Sequence, residues 1–328
     1  MYTPVDELFR TAIPDQVWHY TSLAALEGIL TSGRMWATHA LFTNDETEFV
    51  HARDIAEACL PPLESLEVLR KYPSLNLRGM LNHAFDKGAL SPAHTEVYLI
   101  SFSETGDLLD QWGRYADASK GVSLAFDLRY IRPLQEAEIA ITFAPCEYRA
   151  DRKEQLVRSA LGRFTAAVAL LDRRIRDETW RGNELRIWKM VDSIYGLSFD
   201  STEFHKVNEW KIKKELKSAW TRTLFDLLRV AGHCKHDAFS AEQEWRLAMP
   251  RPKDKTPLTE HVVKFRGASG KVPYFESNLF RAGALPIVEI KTGPLCTEIG
   301  RVQDLMKRTG YICPVTKSKA PLRDTRTL

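Results

Sequence analysis

The sequence predicts an α+β protein in which strands near both ends of the chain are separated by a block of helices. Two observations carry this prediction. Dense β-forming runs occur at residues 97–103, 121–126 and 244–249, whereas apolar residues keep helical spacing from about residue 151 to 230. Segregated strands and helices are typical of the α+β class. We therefore expect a single domain over residues 1–328, with a helical insertion at about 151–232.

Length and composition allow a sizeable core and narrow the functional classes. The chain has 328 residues, is 44% hydrophobic and carries a formal net charge of +3, which permits an acidic partner without demanding one. No stretch approaches the roughly 20 apolar residues of a membrane span, and the N-terminus has no apolar signal segment. The five cysteines and nine histidines show no metal-site spacing. We expect a cytoplasmic protein with no metal site and no membrane partner.

The first elements place a histidine at a strand-to-helix corner. Residues 17–18 favour a strand, and Thr21 or Ser22 can cap the amphipathic helix of residues 23–30. His19 lies between them. Loops at such corners often supply ligand contacts, although a histidine in a strand is also commonly a structural residue.

The remaining elements follow from local patterns. A second strand is predicted at residues 34–38, and Asn44-Asp45 is a turn and helix cap whose functional signal is the weakest. Further strands are predicted at 261–265 and 287–291, and a helix at 297–309 is closed by a glycine. We expect the polar tail, 317–328, to be frayed or draped over the surface.

Candidate binding groups lie in the middle of the chain. Ser101 and Ser103 end the apolar run 97–103, where they either orient a ligand or close the strand in a turn. Trp112 and Tyr115 are three residues apart and can share one side of a helical turn. Such a pair is usually part of a core, but a flat aromatic wall also stacks a nicotinamide ring or a base.

The sharper chemistry lies in the run that contains Glu242, Glu244 and Arg246. If this run is a strand, the three side chains share one face. A solvated strand face gives the same pattern. The functional interpretation is that one carboxylate stabilises positive charge at an anomeric carbon, as chemistry at a glycosidic bond requires.

The chain resembles the bacterial domain family of unknown function 2971. The resemblance rests on HYTSLAALEGILTSGRMWAT, TNDETE, LISFSETGDLLDQWGRYADASKGVSLAFD, KHDAFSAEQEWRLAM and IVEIKTGP with SKAPLR. These blocks cover most of the chain outside the helical insertion. That family is in turn similar to the ADP-ribosyltransferase superfamily, which implies a split, mostly antiparallel β-sheet. It also implies an enzyme that uses NAD as its substrate and transfers ADP-ribose to a macromolecular acceptor.

The resemblance also implies roles for individual residues. His19 matches the first-strand histidine that binds a ribose of NAD, and Glu242-Gln243-Glu244 looks like a Glu-x-Glu turn. This makes Glu244 the catalytic carboxylate and Glu242 the group that positions the acceptor. No obvious tyrosine occupies the stacking site that the superfamily has on its middle strand, so Trp112 or Tyr115 must take its place. The NAD contacts implied in this way are His19, Tyr20, Thr21, Ser22, Ser101, Ser103, Trp112 and Tyr115.

Two alternatives remain beside the transferase. One is a nucleotide-binding sensor that keeps the pocket without turnover. The other is an RNA-binding interaction module that uses its basic segments. Separately, Glu242 or Glu244 can be a structural ion-pair partner of Arg246. For the transferase we favour a nucleic-acid acceptor slightly over protein, and a role in anti-phage defence or as a toxin. The basic residues behind this preference lie in the helical block and in the tail. The arginines of the block are interleaved with acidic residues and are Arg158, Arg163, Arg173, Arg174, Arg176, Arg181 and Arg186.

Overall fold

The protein is described here by a computed structural model. It describes residues 3–43, 47–66, 69–70, 76–85, 96–130, 141–176, 201–251, 263–266, 270–277 and 285–322. The chain forms two compact units. The first contains residues 1–48, 90–152 and 232–328, and the second contains residues 49–89 and 153–231. The expectation of one domain with an insertion at about 151–232 stays a prediction.

The first unit contains the sheet and the candidate site. Its elements, in chain order, are α1 (Pro4–Phe9), β1 (Gln16–Thr21), α2 (Leu23–Ser32), β2 (Met35–His39), β3 (Glu96–Ser103), α6 (Leu109–Tyr115), β4 (Val122–Asp127), β5 (Thr142–Pro145), β6 (Glu244–Arg251), β7 (Lys264–Arg266), β8 (Val272–Ser277), β9 (Ile287–Thr292), α9 (Ile299–Thr309) and β10 (Val315–Lys317). Short 3₁₀ turns lie at Ala40–Phe42, Leu128–Tyr130 and Asp237–Glu242.

The second unit is built from helices. These are most of α3 (Thr47–Ala58), α4 (Leu60–Glu64), α5 (Leu77–Ala84), most of α7 (Ala150–Arg176) and α8 (Ser201–Ala231). The rings of Phe164 on α7 and Trp220 on α8 meet edge to face at 4.8 Å, and both are buried. No helix in the described part of the chain is long and apolar enough to cross a membrane.

The strands form one sheet in the order β10-β9-β4-β1-β3-β2-β8-β7, and β6 joins β3 to β5. Neighbouring strands are antiparallel apart from β9 and β10, which are parallel. The predicted α+β class with a mostly antiparallel sheet is therefore confirmed.

One edge of β3 is shared between two strands. Near its start β3 pairs with β2, with Leu99 opposite Thr38, and at its end Ser103 pairs with Trp18 of β1. The other edge of β3 pairs with β6 along its whole length. Strands β1 and β2 therefore separate along β3, and the backbone around Ser101 faces the gap between them.

Local signals at the helix ends are confirmed. The Ser22 hydroxyl caps α2 by accepting from the Ala25 amide at 3.1 Å, and Gly33 ends that helix with φ of 62°. Gly310 ends α9 with φ of 77°. Left-handed backbone of this kind favours glycine because it has no Cβ.

The structure adds strands that the local patterns do not predict, namely β5, β8 and β10. The predicted strand at 261–265 is confirmed from Lys264 and wrong at Val263, which precedes the strand. Residues 261–262, Asn44 and Asp45 lie outside the described residues. At its start the tail lies on the surface and is not frayed. Lys317 belongs to β10, and the Ser318 hydroxyl and Lys319 amide donate to the Asp107 carboxylate.

Candidate functional site

A cavity of about 540 Å³ lies in the first unit where β1 and β2 separate. Its lining brings together residues from distant parts of the chain: His19 and Thr21 of β1, Trp36 and Thr38 of β2, Ser101 and Ser103 of β3, Arg114 and Tyr115 of α6, then Lys235, Phe239, Glu242, Glu244, Arg246 and Arg266. Helix α2 contributes Ala24, Ala25 and Gly28, which leave the cavity room on that side.

His19 reaches the part of β3 whose edge toward β1 and β2 is unpaired. Its Nδ1 lies 2.9 Å from the Ser101 carbonyl oxygen. A carbonyl only accepts, so Nδ1 carries the hydrogen and Nε2 of the neutral ring is an acceptor. Burial lowers the pKa of His19, the bond to Ser101 offsets part of this effect, and the charge of Arg266 lowers the pKa further. The ring is therefore neutral near pH 7 and can accept a hydrogen bond from a hydroxyl group of a ligand.

A buried network of four charges forms another part of the cavity wall. Lys235 Nζ donates to a carboxylate oxygen of Glu242 and, at 2.5 Å, to Glu244 Oε2. Arg246 donates to both oxygens of Glu244, with Nε at 2.7 Å from Oε1 and Nη2 at 3.0 Å from Oε2. All four side chains are at most 5% exposed. Two cations thus balance two carboxylates away from water.

The network fixes the ionisation of its members. Burial alone raises the pKa of Glu244, but the charges of Arg246 and Lys235 and their hydrogen bonds outweigh burial and lower it to about 2. Burial opposes the charged form of Lys235, yet the neighbouring carboxylates, Glu244 foremost, raise its pKa above the ordinary value. Glu244 is therefore anionic and Lys235 cationic throughout the physiological range.

Aromatic residues border the network. The Tyr115 hydroxyl donates to Glu242 Oε1 at 3.3 Å, and burial raises the pKa of Tyr115 to about 12. The ring of Phe239 lies 5.0 Å from Lys235 Nζ and 5.1 Å from the Arg114 guanidinium carbon, within cation–π range. The wall beside the carboxylates therefore presents a phenol, a phenyl ring and two cations.

The backbone brings the two glutamates together by a turn and not by strand alternation. Glu242 ends the 3₁₀ turn Asp237–Glu242, Gln243 has φ of 45°, and β6 begins at Glu244. The Ser103 hydroxyl holds the turn by donating to the Glu242 carbonyl oxygen at 2.9 Å. The predicted strand face of Glu242, Glu244 and Arg246 is therefore wrong for Glu242, although both glutamates accept from Lys235 and Arg246 pairs with Glu244.

The structure removes Trp112 from the predicted aromatic wall. Trp112 is 0% exposed, packs edge to face on Tyr20 at 4.9 Å, and donates from Nε1 to Asp107 at 2.8 Å. It is a core residue, because residues three apart on α6 are turned by about 60° from one another and only Tyr115 reaches the cavity.

The hydroxyl groups of two more implied NAD contacts, Tyr20 and Ser22, are hydrogen-bonded to the backbone. The Tyr20 hydroxyl accepts from the Leu108 amide and donates to the Thr105 carbonyl, both at 2.8 Å, so this phenol serves a loop. Ser22 does not line the cavity because its hydroxyl caps α2. The Ser103 hydroxyl, although at the cavity, is held by the Glu242 carbonyl. His19, Thr21, Ser101, Tyr115 and the two glutamates do come together around one space.

Sequence reasoning misses Lys235, Trp36 and Arg266 at this cavity. For Lys235 one signal was available. Two carboxylates two residues apart at the start of an apolar strand need more positive charge than Arg246 alone supplies. Nothing local marks Trp36 or Arg266, since only the sheet pairing places them together.

Among the described residues no group of three or more His, Cys, Asp and Glu side chains is arranged to hold a metal ion. The polar lining fits an organic ligand with hydroxyl and anionic groups, since it offers an imidazole acceptor, a serine hydroxyl and several cations.

Comparison with known proteins gives one match. Residues 111–247 match the family described as "Protein of unknown function (DUF2971)". The matched stretch begins within α6, before Tyr115, and ends within β6, beyond Glu244 and Arg246. No curated protein and no solved structure matches the chain. The match supports the resemblance to that family over this stretch.

Proposed function

We propose that this chain, with the DUF2971-like segment supplying Tyr115, Glu242 and Glu244, is an ADP-ribosyltransferase that uses NAD as its substrate. The observation that carries the proposal is that His19, Ser101 and Glu244, from three strands far apart in sequence, line one cavity. The cavity also lies where the sheet divides along β3. A split, mostly antiparallel sheet is what the ADP-ribosyltransferase resemblance implies.

The proposed reaction needs no reagent other than NAD and the acceptor. The bond between the ribose anomeric carbon and the nicotinamide nitrogen breaks, and its electron pair neutralises the pyridinium ring. Nicotinamide leaves, and a lone pair of the acceptor forms the new bond to the anomeric carbon. The acceptor loses one proton, which passes to water or to a carboxylate. A fixed anion beside the anomeric carbon stabilises the positive charge that develops between the two events.

The side chains have distinct roles in this proposal. His19 Nε2 accepts a hydrogen bond from a hydroxyl of the adenosine-side ribose, and Tyr115 supplies the aromatic wall for nicotinamide. Glu244 is the anion beside the anomeric carbon, and Glu242 positions the acceptor. The depressed pKa of Glu244 suits this role because its carboxylate stays charged at every physiological pH.

The acceptor in this proposal is a macromolecule, with nucleic acid favoured over protein. The helical block supports that preference weakly. Arg158 pairs with Glu154 and Arg163 pairs with Asp226. The side chains of Arg174 and Arg176, and all of Arg181 and Arg186, lie outside the described residues. A role in anti-phage defence or as a toxin remains part of the proposal.

A second candidate function is nucleotide binding without turnover. The bidentate Arg246–Glu244 pair favours it, because a carboxylate already neutralised by two cations stabilises a new positive charge less well. The two candidates share the cavity and differ in whether nicotinamide is released.

The experiment uses the full chain with NAD labelled on the adenosine side and bacterial lysate as the acceptor source. We expect nicotinamide release and label on a macromolecule. Glu244→Gln should bind NAD but lose transfer by about 10²–10³-fold, the scale seen when one electrostatic stabiliser is removed. The exposed pair partner Glu298 gives a matched control, since Glu298→Gln should transfer like the parent protein.

The other outcomes of this experiment test the transferase and the sensor against each other or reject both. Binding of NAD without nicotinamide release from the parent protein would favour the sensor and reject the transferase. Absence of both binding and release would reject both. If Glu244→Gln does not fold, His19→Ala carries the test, because it should weaken NAD binding while the buried charge network stays intact.

A further inference from the structure

An open face of strands β2, β8 and β7 continues from the rim of the cavity. The pairing registers place Trp36 opposite Glu276 and Thr38 opposite Tyr274, and place Lys264 opposite Tyr274 on the next strand. Directly opposed residues point to the same side of a sheet, and alternate residues share a face. This face, which we term the β2–β8–β7 face, therefore presents Trp36, Thr38, Tyr274, Glu276, Lys264 and Arg266.

An aromatic pair stands at the centre of the face. The rings of Trp36 and Tyr274 lie 4.6 Å apart at a tilt of 37°. Tyr274 is buried below, whereas Trp36 is 45% exposed. Tyr274 holds the indole in place, so the flat apolar ring is exposed to solvent in a fixed position. A ligand that stacks on it therefore costs little further side-chain entropy.

The charges around this pair are predominantly positive. The Arg266 guanidinium lies over both rings, at 5.6 Å from Trp36 and 5.9 Å from Tyr274, and donates to the Thr38 hydroxyl at 2.7 Å. Among the residues that the structure describes, no carboxylate pairs with Arg266. Glu276 is shared between Lys264, at 2.7 Å, and Arg34, at 3.8 Å. Three cations thus face one carboxylate around an exposed ring.

The face leads into the candidate site. Trp36, Thr38 and Arg266 line the cavity itself. Thr38 pairs with Leu99 of β3, Ser101 follows Leu99 on the same face, and Ser101 pairs with Arg246 of β6. Glu244, two residues before Arg246, lies on the same side of the sheet as the β2–β8–β7 face. A ligand lying along the β2–β8–β7 face therefore has its end directed toward the two glutamates.

We propose that the β2–β8–β7 face binds single-stranded nucleic acid, with one base stacked on Trp36 and the adjoining phosphates held by Arg266 and Lys264. An exposed aromatic ring among cations on an open sheet suits unpaired bases, since every base offers a ring face and every nucleotide carries a negative charge. A duplex hides its ring faces and does not fit. That the bound strand is also the acceptor rests on the proposed function, whereas the binding itself does not.

The experiment measures binding of a fluorescently labelled oligonucleotide of about ten nucleotides to the full chain by anisotropy, with no NAD present. We expect Trp36→Ala to weaken binding by about tenfold or more, the scale of one lost base stack. Phe265→Ala is the matched control. Phe265 is 58% exposed on the same strand as Arg266 but faces the opposite side of the sheet, so its loss should leave binding unchanged.

The electrostatic part has its own readout. Arg266→Gln should weaken binding to all oligonucleotide sequences alike and reduce the slope of log affinity against log salt by about one. A duplex of the same sequence should bind the parent protein more weakly than the single strand.

Three results would overturn the inference: equal effects of Trp36→Ala and Phe265→Ala, a duplex that binds as tightly as the single strand, or weakening of NAD binding alone in Trp36→Ala. The last result would make the ring an adenine contact of the cavity. If the parent protein binds the oligonucleotide but shows no transferase activity, only the proposed function is rejected.

Discussion

Lys235→Met is expected to lower the free energy of unfolding by about 3–5 kcal/mol, because it leaves two buried carboxylates with one cation between them. Met keeps the length and most of the volume of the side chain, so the change removes charge and hydrogen bonds with little new cavity. Both Glu242 and Glu244 lose a donor to the Lys235 ammonium. Urea denaturation followed by far-ultraviolet circular dichroism measures the difference.

The loss should depend on pH in a defined direction. Since the folded-state pKa of Glu244 is lowered from 4.5 to about 2, this group stabilises the fold fully above pH 4.5 and progressively less as pH falls toward 2. In Lys235→Met that contribution is smaller, so the gap between variant and parent should be widest at neutral pH and narrow in acid. Lys307→Met, at an exposed pair, should change stability by under about 1 kcal/mol. A pH-independent gap would contradict the charge argument.

Trp112→Ala is expected to destabilise the protein by about 3–5 kcal/mol through the cavity that it leaves. The indole is fully buried against Tyr20, and its Nε1 donates to Asp107. Trp112→Phe keeps most of the packing and loses the hydrogen bond, so its effect should be clearly smaller. Chemical denaturation of both variants gives the comparison.

Trp36→Ala is the counterpart for this prediction, because Trp36 is the same residue type on an exposed face. Its effect on stability should be under about 1 kcal/mol, since the ring loses less buried contact on truncation. A loss of stability in Trp36→Ala as large as in Trp112→Ala would show that exposure does not separate the two sites as the structure describes.

Much of the sheet follows from local sequence. The runs that became β3, β4 and β6 are long and apolar, and α2 and α9 carry caps and closing glycines that fix their ends. The strands that local patterns do not predict are short or poor in alternation. β5 has four residues and contains a proline, β10 has three, and β8 includes both a proline and a glutamate. These strands exist because a neighbour offers an unpaired edge, which no local pattern records.

The sequence predicts His19 and Glu244 as site residues, but it does not predict the contacts that connect the side chains of the site. His19 and Glu244 stand beside clear local signals, a capped corner and a charged strand start. Lys235 lies in a stretch without periodicity, and its burial between two carboxylates arises only from tertiary packing. Trp112 and Tyr115 have the spacing of one helix face, but spacing alone does not say which of them points into the core.

The pairing of early strands with late strands determines when the sheet can form during synthesis of the chain. β3 is completed by β6, β2 by β8 and β4 by β9, so early strands wait for partners from the last third of the chain. Contacts of such sequence separation raise the contact order and slow folding. On the ribosome, His19 and Ser101 are synthesised long before the segment that carries Lys235, Glu244 and Arg266. A nascent chain that ends before residue 266 therefore has no complete cavity, and the candidate activity should appear only after that segment has been synthesised.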